Sequence, residues 1–316
     1  MADQKIIAVV GATGAQGGGL VRAILADKQG PFRARALTRD VNSEKAKALA
    51  KAGAEVVAAD IDDPDSLDRA FAGAYGAFLV TFFWEHFSPE RETAEARSMA
   101  QAAKRAGLQH VIWSTLEDTR KHIPLSDNRM PTLMEKYKVP HFDGKGEADQ
   151  IFSDLKVPTT FLVTSFYWDN LIFFGMGPKK GPDGKLAFTL PMGNKKLASI
   201  AAEDIGKAAY SVFKKGRELI GKTIGVAGEH LTGSQMATSL TKALGEEVRY
   251  NAVSPEAFRG FGFPGADDLG NMFQFNQEFE QVCLKARDLA AGRALNPAMQ
   301  TFDGWLIKNK QRIPLE

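Results

Sequence analysis

The stretch "KIIAVVGATGAQGGGLVRAILAD", residues 5–27, decides the fold. Its first six residues form a short apolar run suited to a buried parallel strand. Its second half, from residue 15, places Leu20, Val21, Ile24 and Leu25 at helical spacing. Between the two stand Gly11, Gly14 and Gly17, in the order G-x-x-G-x-x-G. Strand, glycine turn and helix in that succession form the context in which the motif cradles a pyrophosphate. Gly11 permits the tight turn, Gly14 lets backbone N–H groups approach the phosphates, and Gly17 lets the helix pack closely on the strand. The helix N-terminus adds unpaired donors and partial positive charge. A glycine-rich turn that binds nothing has the same composition, but the strand before it and the helix after it favour a nucleotide.

Outward from this unit, strand and helix signals keep alternating. "FRARALT" (32–38), "AEVVAAD" (54–60), "AFLVT" (77–81), "HVIWS" (110–114) and "TTFLVTS" (159–165) read as strands. Helices fall between them at 43–53, with Ser43 as N-cap and Gly53 as C-cap, at 63–73, at about 89–106 and from Pro140. This alternation predicts an α/β fold, a Rossmann-type doubly wound parallel sheet. The second half changes character. Residues 177–196 are dense in Gly, Pro and Lys around a strand at 186–190, and their basic stretch reads as a solvated loop. A helix follows at 201–216, a strand at 222–228, and a helix capped by the box Thr232 to Gln235. "EVRYNAV" and "SPEAFRGFGF" add a strand and a helix. The expected division is a nucleotide-binding domain over 1–165, rejoined by about 197–228, and a smaller α+β C-terminal lobe over 166–316.

Bulk properties exclude several classes. Forty basic against 38 acidic residues give a net charge of +2, with no patch dense enough to bind nucleic acid by charge alone. Hydrophobic residues at 44% argue for a packed core and against disorder. No run of eighteen apolar residues predicts a membrane span, and the N-terminus enters a strand without a signal-peptide pattern, so the cytoplasm is the expected location. A single cysteine, Cys283, rules out an internal disulfide framework, and with five scattered histidines it argues against a Cys-rich zinc site. No metal is expected.

The end of the second strand selects the cofactor. An NAD site places an acidic residue there for the ribose hydroxyls. This chain reads "ALTRD": Arg39 would meet a 2′-phosphate with a charge-assisted fork, and Asp40 stands one place late. NADP(H) is therefore the expected cofactor. Asp60 and Ile61, ending the third strand, fit the adenine edge, although a plain strand-end turn would read alike.

"GATGAQGG", "LTRD", "GAEVVAADIDD", "GAYGAFLVTFFWE", "HFDGKGE", "FYWDNL" and "FPGADDLGNMFQF" together resemble the NmrA-like proteins, atypical relatives of the short-chain dehydrogenases. The likeness is to the NADPH-sensing branch and runs from the N-terminus to about residue 276, with "LNPAMQTFDGWL" beyond it. The resemblance implies that Gly11 to Gly17, with Thr13, Ala15 and Gln16, hold the pyrophosphate, and that Arg39 holds the 2′-phosphate. It further implies that Thr81, Phe82 and Phe83 lie along the cofactor and that Lys145 bonds the nicotinamide ribose. Tyr167, Trp168, Asp169 and Asn170 would close over the nicotinamide end. The chain departs from the pattern at Ala94, where such sensors carry a cofactor-facing lysine; Arg97, one turn on, is the candidate substitute. Proteins of this kind commonly regulate, passing the state of the nicotinamide pool to a protein partner.

"VPHFDGKGEADQIF" (139–152) bears on catalysis. An active short-chain dehydrogenase pairs a Tyr with the Lys four residues later, and a Ser on the fifth strand orients the substrate oxygen. Here Ser114 and Thr115 stand at the strand end and Lys145 is present, but His141 replaces the Tyr. An imidazole is able to act as an acid, yet a lysine beside it disfavours its protonated form. Tyr167 is a further candidate. The aromatic run 166–177 reads either as a lid or as core. The expected function is thus an NADP(H)-binding regulator acting through a protein partner or a homodimer, without dehydrogenase activity. The alternative is an NADPH-dependent reductase of a small carbonyl or quinone-like substrate, with Ser114, His141, Lys145 and Tyr167 as its catalytic candidates. An NAD-linked epimerase or dehydratase is a weaker third reading, opposed by Arg39.

Overall fold

The computed structural model describes residues 4–315. They fall into two compact units. The first takes the chain up to Asp118, then His141–Val163 and Glu203–Ile224; the second takes Thr119–Pro140, Thr164–Ala202 and the chain from Gly225 on.

The first unit carries the alternation expected from the sequence: β1 (Lys5–Val9), α1 (Ala15–Ala26), β2 (Phe32–Thr38), α2 (Glu44–Lys51), β3 (Glu55–Ala58), α3 (Pro64–Phe71), β4 (Gly76–Leu79), α4 (Pro89–Arg105), β5 (His110–Thr115), α5 (Pro140–Asp154) and β6 (Thr159–Val163). Across the sheet the order is β3-β2-β1-β4-β5-β6, with the strand Thr223–Gly225 beyond β6. The pairs β2–β1, β2–β3, β1–β4, β4–β5 and β5–β6 are all parallel. The order reverses direction between β1 and β4, the switch point beside which open α/β sheets bind their ligands. A core of Phe71, Met99, Trp113 and Phe152 packs one face, with the Trp113 and Phe152 rings stacked at 5.1 Å.

The helices start where their sequences provide caps. Ser43, Asp63 and Ser88 each accept a hydrogen bond from a first-turn backbone N–H. Pro64 and Pro89 sit in first turns, where a missing N–H costs nothing. The glycines of α1 serve close packing. A Cβ on Gly17 would lie 2.5 Å from the Gly11 carbonyl oxygen, and one on Gly19 would lie 2.7 Å from the Glu203 oxygen, on the helix Ala202–Lys215.

The second unit holds two three-stranded sheets. One joins Glu229–Thr232, Lys196–Ile200 and Phe166–Tyr167; the other joins Val248–Ala252, Leu186–Leu190 and Lys179–Lys180. Its helices include Gly233–Leu244, closed by the expected capping box of Thr232 and Gln235, and a succession from Ala266 to Asn309. Among the described residues no helix is long and apolar enough to cross a membrane.

Candidate functional site

The glycine loop has the shape its spacing predicts. Gly11 sits at φ +65°, in the left-handed region that glycine alone enters without strain. Gly14 donates to the Gly11 carbonyl at 2.9 Å and closes the turn. Gly14 itself has φ −89° and ψ −173°, an extended conformation open to any residue, so its role is to leave room and not to supply a special dihedral. Gly14 and Ala15 are exposed, Thr13 and Gln16 half-buried. No side chain caps α1 and no acidic residue occupies its first turn. That leaves the helix N-terminus free of the side chains that would compete with a phosphate.

Arg39, at the end of β2, is exposed and paired: its Nη1 donates to Glu85 Oε1 at 2.7 Å. The Glu85 bond holds Arg39 above its ordinary pKa, and Arg39 holds the Glu85 carboxyl below its own. Asp40 turns away, with Oδ1 accepting from the Asn42 N–H at 2.8 Å. Asp60 does the same for Asp62, and the Ile61 carbonyl accepts from Ser98. Both residues are strand-end turn formers in their contacts.

Two flanking glycines deliver Lys145. A Cβ on Gly144 would lie 3.2 Å from Pro89, and one on Gly146 would collide with the Asp118 backbone nitrogen. The first turns of α5 therefore lie hard against the start of α4 and the loop after β5. Lys145, between them, donates to Thr81 Oγ1 at 2.6 Å and pairs with Glu92 Oε1 at 2.6 Å. Thr81 also donates to Glu92 Oε1, at 2.5 Å. Glu92 is fully buried and Lys145 is 11% exposed. The ammonium is thus neutralised by a carboxylate that the sequence reading missed. Its signal was there: Glu92 shares the apolar face of α4 with Ala96, Met99 and Ala103, where a charge needs a buried partner.

Beyond Glu92, His86 Nε2 lies 3.6 Å from Glu92 Oε2 and 3.7 Å from Glu95 Oε1. These three groups have a spacing that suits a metal ion. The tautomer argues otherwise. The Ser88 N–H donates to His86 Nδ1 at 3.0 Å, so in the neutral ring the proton is on Nε2, where a metal would need a lone pair. His86 Nε2 faces the two carboxylates beyond hydrogen-bond reach, and both it and Glu92 Oε2 are buried without a hydrogen-bond partner. Burial holds the His86 imidazole below its ordinary pKa against the pull of Glu92. Burial also pushes the Glu95 carboxyl up to about 7, against its bond to Arg91.

His141, in the position of the expected proton donor, is buried among rings: Trp84 at 4.8 Å, Phe142 at 4.8 Å and Phe83 at 5.8 Å. Phe83 is buried too, while Phe82 is 54% exposed. Ser114 donates to Gln16 Oε1 at 2.8 Å, tying the end of β5 to the glycine loop. Thr115 donates to Asp149 Oδ1 at 2.6 Å. Ala94 and Arg97 are both exposed on α4. The structure thus brings the glycine loop, Ser114, Thr81, Phe83, His141 and Lys145 together in the first unit.

Tyr167 to Asn170 lie in the second unit. Trp168 is fully buried there, donating to Ser199 Oγ at 2.8 Å and packing on Phe302 and Trp305. Asp169 Oδ2 accepts from the Ala202 N–H at 2.9 Å. The Tyr167 hydroxyl reaches Thr164 Oγ1 at 3.4 Å. Trp168 is thus a core side chain of the second unit, and Asp169 accepts from the first residue of the helix Ala202–Lys215.

The NmrA-like family pattern matches residues 3–306, and the chain belongs to that family. It is 30% identical over 276 residues to the NAD(P)H azoreductase of Xenophilus azovorans, across 85% of this chain and 86% of that protein. Its fold is similar to the crystal structure of NmrA, a negative transcriptional regulator, in complex with NADP, at TM-score 0.77 and 24% identity, over 96% of this chain and 95% of that one. It is also similar to Citrobacter sp. triphenylmethane reductase complexed with NADP(H), at TM-score 0.74 and 21% identity, over 96% and 99% of the two chains.

Proposed function

We propose that this chain is an NADP(H)-binding regulator that acts through a protein partner or a second copy of itself, without dehydrogenase turnover. The observation that carries this reading is the fate of Lys145. A dehydrogenase lysine acidifies a neighbouring donor by its positive charge. Here that charge is spent on a buried carboxylate, Glu92, at 2.6 Å. The donor position holds an imidazole packed against Trp84. Ser114, which would orient a substrate oxygen, is bonded to Gln16.

The chain's residues fit the cofactor. Gly11 to Gly17 and the uncapped start of α1 would take the pyrophosphate, Arg39 the 2′-phosphate and Lys145 the nicotinamide ribose, in exchange for its long bond to the Thr81 carbonyl at 3.4 Å. A bound nicotinamide would supply hydride chemistry. The reductase reading, for a small carbonyl or quinone-like substrate, is favoured by the 30% identity to an azoreductase.

Two measurements separate the readings. Calorimetric titration with NADPH, NADP and NADH should show binding that prefers the phosphorylated cofactors. NADPH oxidation against a panel of quinones, aldehydes, ketones and azo dyes should stay at the uncatalysed rate. Turnover that disappears in His141→Ala, with a pH–rate profile set by one ionisation in the histidine range, would make the chain a reductase with a substituted proton donor.

A further inference from the structure

Two carboxylates beyond β4, Glu85 and Glu92, each hold one of the two cations assigned to the cofactor. The two pairs differ in kind. Glu92 and Lys145 are buried together and form part of the packing. Glu85 and Arg39 are 45% and 65% exposed, so their pair exchanges readily with another anion. The guanidinium meets both carboxylate oxygens, Nη1 to Oε1 at 2.7 Å and Nη2 to Oε2 at 3.4 Å. A phosphate monoester offers the same fork with more charge.

We propose that Glu85 is a specificity-determining residue: an internal competitor for the 2′-phosphate subsite at Arg39, through which the segment 83–87 reads the 2′-phosphate and not the oxidation state of the nicotinamide. The proposal rests on the assignment of Arg39 to the 2′-phosphate. What the chain would distinguish is NADP(H) from NAD(H).

The path from the subsite is short. Glu85 ends a single tight turn, Phe83–Glu85. Its neighbour Trp84 lies against His141 at 4.8 Å and edge-on to Phe87 at 5.8 Å. Phe87 is held at φ 56°, a left-handed conformation that a bulky residue adopts only under constraint from its surroundings. A phosphate that takes Arg39 releases Glu85, and the release passes one peptide bond to the Trp84 ring.

The test uses the full chain and two readouts: affinity by calorimetry, and the Trp84 resonance in fluorotryptophan-labelled protein by fluorine NMR, assigned with Trp84→Phe. Glu85→Gln should raise affinity for both NADPH and NADP by about two- to fivefold, the scale of an exposed pair, and leave NADH unchanged. In an Arg39→Ala background the same change should have no effect. The Trp84 resonance should shift equally with NADPH and NADP and stay in place with NADH. Weaker NADPH binding by Glu85→Gln would mean that Glu85 orients Arg39, and would overturn the proposal. An equal gain for NADH, or a resonance that follows NADPH but not NADP, would also overturn it. If Arg39→Ala alone leaves the NADPH-to-NADH preference unchanged, the assignment of Arg39 falls and the proposal with it. If that preference is lost but Glu85→Gln gains nothing, the proposal alone falls.

Discussion

Replacing Glu92 by Gln removes one charge and almost no volume. The Gln carbonyl still accepts from Thr81, so the change isolates the Lys145–Glu92 ion pair. Glu92 is fully buried and Lys145 nearly so. Breaking a buried pair on one side leaves the other charge uncompensated, which costs about 3 kcal/mol. With a urea m-value of about 3 kcal/mol per molar, the midpoint should fall by about 1 M. Removing both charges, as Glu92→Gln with Lys145→Met, should recover most of that loss, because the desolvation of the lone ammonium disappears with it. The coupling energy in the double-mutant cycle is expected at about 2–3 kcal/mol. Urea unfolding followed by near-ultraviolet and far-ultraviolet circular dichroism gives the four stabilities. A Glu92→Gln protein within about 0.5 kcal/mol of the parent, or costs that simply add, would show that the pair is solvated and that Lys145 keeps its charge for other work. The account of why this lysine does not serve a proton donor would then fail.

Arg39→Ala should weaken NADPH binding about ten- to a hundredfold, the worth of a charge-assisted hydrogen bond, and barely alter NADH binding; calorimetry reads both. Lys145→Ala should weaken both cofactors, and His141→Ala neither, since the imidazole is packed among Phe83, Trp84 and Phe142. Gly17→Ala puts a Cβ 2.5 Å from the Gly11 carbonyl oxygen, so it should distort the loop and abolish cofactor binding while far-ultraviolet circular dichroism keeps its helical signal. Burial holds His110 down at about 4. Its Nε2 donates to Thr160, which itself donates to the Leu219 carbonyl, and its Nδ1 is buried without a partner, so a second proton has no acceptor. Between pH 6.5 and 4 the unfolded chain binds that proton and the folded chain does not, so stability falls as pH falls, by up to about 3 kcal/mol. Urea midpoints over that window should decline less steeply in His110→Asn.

The local half of this protein was legible. The glycine spacing, the alternation of apolar runs and the helix starts at Ser43 and Pro64 act within a few residues of themselves, and they set the strands and helices of the first unit; Thr232 does the same for one helix of the second. In the second unit the strands Lys196–Ile200 and Glu229–Thr232 went unread, because each is short and neither alternates. The helices after Ala266 went unread for lack of a continuous apolar period. The aromatic run around Trp168 read either as lid or as core, since it has the same composition in both roles, and Trp168 is a core side chain.

The sequence alone determined the class of fold, the glycine turn before α1 and the arginine at the end of β2, because glycine sterics and strand periodicity are properties of neighbouring residues. Only the tertiary structure decided what the charged groups do. Arg39 meets Glu85 and Lys145 meets Glu92 across folded chain that no local pattern links. His141 lies among rings contributed by its own helix and by the segment after β4. The physical reason is that the state of an ionisable side chain depends on burial and on its partner, and both are set when β4, α4 and α5 pack together.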